Sequence, residues 1–434
     1  MKKILIALLG LVALGVLLSF SRTKEVTKRY TTYKSIPRGC VFRTIMGEER
    51  SDSSFRYKTP VRVNTAINQG LAWVARAQNA NGGWGAGSHH RQDVMDPHAV
   101  QPDPATTSMV AMAILRSGST LHSGPYSKQL SAALTYLLTA IEMTTPDNLN
   151  ITHLQGTQIQ TKLGANIDVI LTAQFLCNLI PYLEDQPQLH ARVKKNLNTC
   201  VTKIQQAQDP NGSTSGSGWA GVLQSSFASN ALEAAQAQGA AVDAEGLARS
   251  RAFQKNNYNA KTGDVNTALG AGIMLYSVTG SARASAKEAR KVEEEISKAK
   301  QDGRLAPNAP ATAENLSKIG FAEDEAIKYS TAYEVYQSAK VQAQKEDVMQ
   351  GFGNNGGEEF LSYLQTGEGL IISKDTTWKN WYDNISGRML SIQNDDGSWS
   401  GHHCITSPVF CTATCLLILS INKDVDALME LGKN

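Results

Sequence analysis

The 434-residue sequence has few aromatic residues and is nearly balanced in charge, and these two features exclude some classes of function. Aromatic residues make up 7% of the chain, and the formal net charge is +3. No run of Lys and Arg has aromatic residues among its members, so the pattern typical of nucleic-acid-binding proteins is missing. We therefore expect no nucleic-acid partner.

Two further signatures are missing. The six cysteines are not spaced like those of a small disulfide scaffold, and the sequence does not choose among their possible pairings. Cys177, Cys411 and Cys415 lie in apolar segments and are predicted to be core residues. The glycine-rich residues 351–357 lack the Lys-Ser/Thr ending of a phosphate loop, and we interpret them as a flexible turn.

The long apolar run at the N-terminus predicts export. Lys2 and Lys3 precede apolar residues 4–18, and residues 19–21 have the small-x-small form of a signal-peptidase site. Residues 1–21 are therefore a signal peptide cleaved after Ser21, or an uncleaved membrane anchor, since the run is about long enough to span a bilayer. Either alternative places the folded part outside the cytoplasm: periplasmic, secreted or membrane-anchored. The charged, Ser/Thr-rich residues 22–60 are predicted to be a tether.

One short pattern recurs along the chain. Residues 78–84 and 393–399 both have Gln, three residues, Gly, one residue and Trp, and each stretch separates two helix-like segments. A looser copy lies between them, with its tryptophan displaced by a Ser/Gly insertion. The recurrence indicates a repeated helix-turn-helix unit. The motif residues are Gln78, Gly82 and Trp84; Gln208, Gly212 and Trp219; and Gln393, Gly397 and Trp399.

This pattern has a structural explanation. A glutamine amide can bond the free carbonyls at a helix end, Asn, Asp and Gly permit the chain reversal, and the tryptophan ring covers apolar surface at the start of the returning helix. We therefore predict that the motif residues hold helix pairs together, with all three tryptophans buried, and that they perform no chemistry.

The pattern resembles the repeat of squalene and terpene cyclases and of protein prenyltransferase β subunits. The resemblance implies an all-α fold, an (α/α)6 toroid of hairpins with alternating outer and inner helices, over residues 61–425. Residues 281–350 are predicted to be a charged helical insertion within it, and residues 426–434 a C-terminal tail. The predicted outer and inner helices pair as 63–78 with 105–117, 126–142 with 161–183, 189–208 with 219–238, 244–256 with 266–278, 322–345 with 358–370, and 378–392 with 406–421.

The resemblance supplies no catalytic residues. The Asp-x-Asp-Asp acid motif of hopene-type cyclases is absent, because Asp93, Asp96 and Asp103 are too widely spread to match it. The Asp-x-Cys zinc pair of prenyltransferases is absent too. Asp168, isolated in an apolar inner helix, is a weak catalytic candidate. It would act as an acid or ligand with a shifted pKa, or else bond a neighbouring helix end.

Closure of such a ring would bring two polar loops, residues 85–104 and 400–407, side by side. Imidazole, carboxylate and thiolate groups are ligands for zinc, so these loops form a candidate zinc site. The alternative is that His and Asp are simply solvated loop residues, with the His-His pairs titrating at the surface. The candidate ligands are His89, His90, Asp93 and His98 of the first loop, with Asp96 nearby, and His402, His403 and Cys404 of the second.

Two classes of function follow. The first is an exported cell-envelope protein that binds an apolar small molecule, a peptide or a glycan in the cavity or at the rim of the toroid. The second is a terpene cyclase-like or prenyltransferase-like enzyme acting on an isoprenoid or other apolar substrate, with or without a metal. The missing motifs favour the first class. So does the scarcity of aromatic side chains on the predicted inner helices, since aromatic faces stabilise carbocations.

Overall fold

The computed structural model describes residues 55–433 except residues 215, 217 and 354, and within them the protein is all-α, as predicted. No β-strand occurs in this part of the chain. The predicted signal peptide or anchor and most of the predicted tether lie outside the described residues. Each helix between residues 55 and 433 is too short or too polar to cross a bilayer.

Sixteen α-helices make up the described part of the chain. They are α1 (Val61–Arg76), α2 (Pro104–Arg116), α3 (Ser127–Glu142), α4 (Gln158–Leu163), α5 (Ile167–Leu179), α6 (Pro187–Gln206), α7 (Gly221–Ala237), α8 (Ala244–Lys255), α9 (Met274–Gln301), α10 (Ala313–Lys318), α11 (Glu323–Gln342), α12 (Glu346–Met349), α13 (Gly357–Ile372), α14 (Trp378–Ser391), α15 (Pro408–Leu419) and α16 (Val425–Leu431).

In six helices most of the residues are buried, and these six helices contact one another in order. Helix α2 packs on α5, α5 on α7, α7 on α9, α9 on α13, α13 on α15, and α15 packs back on α2. Every residue of α2 and of α15 is buried, because apolar or small side chains occupy all faces of both helices. The remaining long helices are half-buried. Helix α3 packs on α2, α6 on α5, α8 on α7 and α9, α11 on α9, and α14 on α15.

The three glutamine turns make the same hydrogen bonds. In each, the glutamine Nε2 donates to the carbonyl of the motif glycine, at 2.8 Å for Gln78, 3.3 Å for Gln208 and 2.9 Å for Gln393. Each Nε2 also donates to a backbone carbonyl of another half-buried helix: Gln129 of α3, Gly246 of α8 and Ala66 of α1, respectively. The last of these bonds ties the turn after α14 to α1, the first helix.

The motif glycines are required for two reasons. Gly82 and Gly397 have φ of 88° and 92°, in the left-handed region that other residues rarely adopt. A Cβ at Gly82 would also lie 2.6 Å from the carbonyl oxygen of Ala132, and one at Gly397 would lie 2.8 Å from the Cβ of Gln69. The turns therefore pack directly against the neighbouring helix.

The tryptophan prediction is confirmed in two turns and wrong in the third. Trp84 and Trp399 are fully buried, and their indole N–H groups donate to Val74 and Met389 carbonyls at 2.8 Å. Trp219 is 59% exposed. Because the insertion follows the turn, Thr214 takes the position of the tryptophan.

The backbone of Thr214 shows this substitution directly. Its N–H donates to Ser225 at 2.9 Å, just as the N–H groups of Trp84 and Trp399 donate to Thr107 and Thr412.

Four predicted boundaries need correction. The helix predicted over 266–278 begins only at Met274, because a turn with positive φ at Ala271 and Gly272 precedes it. Helix α9 then continues unbroken to Gln301, so the charged segment 281–350 begins inside a buried helix. Residues 426–434 are not a free tail, because α16 packs on α13. The predicted tether, residues 22–60, overlaps a packed segment at its end, where Phe55 is 6% exposed and stacks on Trp378.

Replacement of Gln393 by Ala should lower the free energy of unfolding by about 1–3 kcal/mol, since two buried carbonyls lose their donor. The measurement is the urea midpoint of the wild type and the variant. Gln236→Ala, at an exposed position at the end of α7, is the control and should change stability by less than about 0.5 kcal/mol. Equal losses in both variants would contradict the role of the Gln393 amide.

Candidate functional site

The N-terminal ends of neighbouring buried helices are hydrogen-bonded to one another, and the two predicted loops meet at this side of the helices. The hydroxyl of Thr406 donates to the carbonyl of Gln92 at 2.8 Å. Gln158 Oε1 accepts from the backbone N–H groups of Thr406 and Ser407 at 2.8 and 3.1 Å. The predicted proximity of residues 85–104 and 400–407 is therefore confirmed, although a side chain from α4 completes the contact.

The predicted zinc ligands do not converge. In the described part of the chain no three His, Cys, Asp or Glu side chains form a group that could hold a metal ion. The ligands of the first loop have local partners. His89 Nδ1 lies 2.8 Å from Gln92 Nε2, Asp93 pairs with Arg91 at 3.0 Å, and Asp96 accepts the N–H of His98. These residues, with His90, stabilise two short 3-10 segments of the loop.

The second loop faces a different set of groups, which we name the Glu-His-Lys cluster. It comprises Lys162, Tyr276, Glu358, Glu359, His403 and Cys404. Glu358 and Glu359 are in the first turn of α13, Tyr276 is in the first turn of α9, and Lys162 is in α4. His402, beside the cluster, donates its backbone N–H to the carbonyl of Asn355 at 2.6 Å.

Helix α4 positions Lys162. A capping box between Thr157 and Gln160 begins the helix. The Lys162 residue is 3% exposed, and its ammonium lies 3.7 Å from the centre of the Trp219 ring. The Trp219 face therefore makes a cation–π contact with a buried ammonium group.

The two glutamates differ in their surroundings. Glu359 is fully buried, and its Oε1 accepts from the Tyr276 hydroxyl at 2.5 Å and from the Phe352 N–H at 2.9 Å. Burial, and then the charge of Glu359, raises the pKa of Glu358 to about 8. The N-terminal dipole of α13 favours ionised carboxylates by at most about 2 kcal/mol, so burial outweighs it at Glu358. Glu358 is therefore a neutral acid at pH 7.

His403 is enclosed by the glycine-rich turn. A Cβ at Gly353 or Gly356 would lie 2.8 or 2.6 Å from the His403 ring, so only glycine lets the turn approach it. The ring stands edge-on to Phe352 with centroids 5.1 Å apart, and its Nε2 is 3.9 Å from Glu359 Oε2. Burial lowers the pKa of His403 despite the neighbouring Glu359. The turn predicted over 351–357 is thus a wall of the cluster.

Several buried polar atoms of this region have no hydrogen-bond partner within the described residues. They include the outer carboxyl oxygens of Glu358 and Glu359 and both ring nitrogens of His403. Since buried polar groups are nearly always paired, this concentration of unpaired atoms makes the region a candidate site. The unpaired atoms are Glu358 Oε2, Glu359 Oε2, His403 Nδ1 and Nε2, Asn355 Oδ1 and Gln158 Nε2.

Two exposed aromatic rings flank the cluster. Trp219 is 59% exposed and lies over Lys162, and Phe352 is 62% exposed and lies against His403. Large exposed rings beside buried, unpaired polar atoms are typical of a ligand site.

Asp168 lies elsewhere and has a structural role. Its two oxygens accept from the Ala105 N–H at 2.9 Å and from Gln160 Nε2 at 2.8 Å. Asp103 caps the same helix by accepting from Thr106. Burial, and then the charge of Asp168, raises the pKa of Asp103 to about 7, and burial raises that of Asp168 to about 6. Of the two alternatives for Asp168, the bond to a neighbouring helix end is the one observed.

Sequence reasoning missed Lys162, Tyr276, Glu358 and Glu359. A signal for the glutamates exists, since two adjacent carboxylates begin a helix whose remaining residues are mostly apolar. No signal pointed to Lys162, because its position depends on the displaced Trp219.

Comparison of the chain with family models, curated proteins and solved structures finds no match. The resemblance to cyclases and prenyltransferases therefore remains a prediction based on the glutamine turns.

The Asp168→Asn variant tests the buried carboxyl pair. Because the folded-state pKa of Asp168 is raised, its contribution to stability is fully present below pH 4 and is lost as pH rises through about 6. Asn resembles the protonated form, so the variant should lose less stability between pH 4.5 and 7, by about 2 kcal/mol. Urea midpoints across this range measure the difference. Parallel pH profiles for wild type and variant would contradict the assignment.

The reactivity of Cys404 tests the electrostatics of the cluster. Burial, and then Glu358, raises the pKa of this thiol to about 11, whereas free thiols titrate near 8.5. In a Cys40→Ser background, alkylation by iodoacetamide should modify one thiol per native chain, because the other four cysteines are buried. Because the thiol pKa is raised, the rate of Cys404 alkylation should still rise about tenfold per pH unit between pH 8 and 10.

Glu358→Gln is the matched variant for the same assay. It removes the carboxyl that raises the thiol pKa, so alkylation at pH 9 should be faster than in the wild type. A wild-type rate that levels off near pH 8.5 would refute the described environment of Cys404.

Proposed function

We propose that this chain is an exported protein with an α/α toroid that binds a neutral, hydroxyl-rich ligand such as a glycan at the rim. The rim is where the N-terminal ends of the six buried helices meet. The proposal rests chiefly on one observation: the buried, unpaired atoms of Glu358, Glu359 and His403 lie together between two exposed aromatic rings.

The order of helix contacts supports the toroid. The six buried helices contact one another in sequence, and the last contacts the first. The Gln393 amide reaches α1, which is what a ring of helical hairpins would require at its closure. Export is inferred from the N-terminal sequence alone.

The chemistry of the cluster favours a neutral polar ligand. Lys162 offsets the charge of one carboxylate, and Glu358 is mostly neutral at pH 7 because its pKa is raised to about 8. The site thus offers a donor from Glu358, an acceptor from Glu359 and an imidazole with both nitrogens free. Adjacent donors and acceptors suit vicinal hydroxyl groups, and the faces of Trp219 and Phe352 suit the apolar faces of sugar rings. An isoprenoid would leave these polar atoms unpaired, at a cost of about 1–3 kcal/mol each.

Acid–base catalysis at the same site is the second candidate. A carboxylic acid with a pKa of about 8 beside a free imidazole can donate a proton near neutral pH. If the site is catalytic, Glu358→Gln should abolish turnover of a bound ligand and leave its affinity nearly unchanged.

Fluorescence of Trp219 provides a binding test. Trp219 is the only exposed tryptophan, since the other five are buried, so acrylamide quenching reports on this ring. Neutral oligosaccharides of chitin, cellulose and starch should protect it from quenching in a saturable manner. Glu359→Gln keeps the oxygen that accepts from Tyr276 and should weaken binding roughly tenfold or more.

Glu245→Gln, on the surface of α8, is the control and should bind like the wild type. Protection by an isoprenoid alcohol in detergent, undiminished in Glu359→Gln, would contradict the proposal and support the apolar alternative.

A further inference from the structure

A second group of unpaired polar atoms lies deeper in the molecule, between α7, α9 and α13. Arg283 Nε, Asn230 Nδ2 and Gln365 Nε2 have no hydrogen-bond partner within the described residues. Arg283 is 3% exposed, Asn230 7% and Gln365 0%. All three are potential donors, and a buried donor without an acceptor costs about 1–3 kcal/mol.

The three donors lie within about one helical turn of one another. Ser226, one turn before Asn230, bonds Gln365 Oε1 at 2.5 Å. A Cβ at Gly369, one turn after Gln365, would lie 3.5 Å from the Arg283 backbone. The helices α7, α9 and α13 are in mutual contact, so the three donors lie in the region where these helices meet.

The charges around this region do not balance. Glu233 pairs with Arg283 at 3.1 Å, with Lys287 at 3.5 Å and with Arg251 at 3.8 Å. Glu288 pairs with Arg251 at 2.5 Å and with Lys255 at 3.0 Å. We name these six residues the cationic cluster. Its four basic side chains face two carboxylates, which leaves an excess of two positive charges.

Burial makes this excess costly. The side chains of Arg283 and Glu233 are 3% and 6% exposed, and those of Arg251, Lys255 and Lys287 are 15–18% exposed. Burial lowers the pKa of Lys287 although the charge of Glu233 raises it, and Arg251 lowers it further. Uncompensated charge at such depth is strongly unfavourable, and a bound anion would offset it.

We propose that the cationic cluster, together with Asn230 and Gln365, binds a small oxyanion of the phosphate class. The ion would accept from Arg283 Nε and the two amide nitrogens, the donor types that recognise oxyanions. The partial exposure of Arg251, Lys255 and Lys287 keeps the site in contact with solvent. This site is independent of the Glu-His-Lys cluster.

Inorganic phosphate is the probe. At constant ionic strength maintained with chloride, phosphate should bind one ion per folded chain in calorimetry and raise Tm in a saturable manner. Arg283→Met should weaken phosphate binding roughly tenfold or more, since it removes a charge-assisted bond. Arg249→Met removes one exposed positive charge from the same helix as Arg251 and should leave binding unchanged.

A second variant keeps the proposal testable if Arg283→Met does not fold. Asn230→Asp would place a carboxylate beside the cationic cluster, so it should raise Tm without phosphate and remove the phosphate effect. Three results would each overturn the proposal. They are no binding of millimolar phosphate in 10-fold excess over the protein, equal phosphate affinity in wild type and Arg283→Met, and a Tm for Asn230→Asp below that of the wild type.

Discussion

The structure depends on one side-chain interaction, the glutamine amide that binds both its own turn and the next half-buried helix. A single Nε2 group offers two hydrogens, and in all three turns they go to the motif glycine and to a carbonyl of a second helix. The glycine supplies the left-handed backbone and the close approach that bring this carbonyl within reach. The pairing of consecutive helices is therefore fixed at the turn, where few residues are needed, and the apolar faces of the helices complete it. At Gln393 the same bond connects the last long helices to the first.

In this arrangement the N-termini of several helices are neighbours, and polar side chains at these N-termini are brought near one another. The helices that begin there bring carboxylates, imidazole, thiol and ammonium groups from distant parts of the sequence, such as Lys162 and Glu359. Some of these groups stabilise the assembly: Asp103 and Asp168 accept from the N-terminal turns of α2. Others, such as the outer oxygens of Glu358 and Glu359, find no partner within the described chain. Buried groups left unpaired lower stability, and their concentration between two exposed aromatic rings is the physical basis for expecting a ligand.

The sequence predicted the helical class, three of the six helix pairs and the contact of two distant loops. It succeeded because apolar periodicity and the glutamine turns are local signals. It failed where the outcome depends on side-chain direction in three dimensions. The histidines of residues 89–98 and 402–403 were predicted to share a metal, but His403 turns toward Glu359 and Phe352 because Gly353 and Gly356 leave room for it. Trp219 was predicted to be buried from its motif, but the insertion gave its position to Thr214. The helix predicted over 266–278 was wrong for another reason, since α9 continues to Gln301 and its charged residues Arg283 and Glu288 belong to a buried network of ion pairs.

Closure between the last and first helices is the claim on which the rest depends, and a distance between spin labels tests it most directly. Labels at Asn68 in α1 and Ser391 in α14, both exposed positions, would be measured by double electron–electron resonance in a chain whose Cys40 and Cys404 are replaced by Ser. Helices in contact have axes about 8–10 Å apart, so the account predicts one short, narrow distance distribution. Gln393→Ala should broaden it. A long or broad distribution in the otherwise wild-type chain would contradict closure.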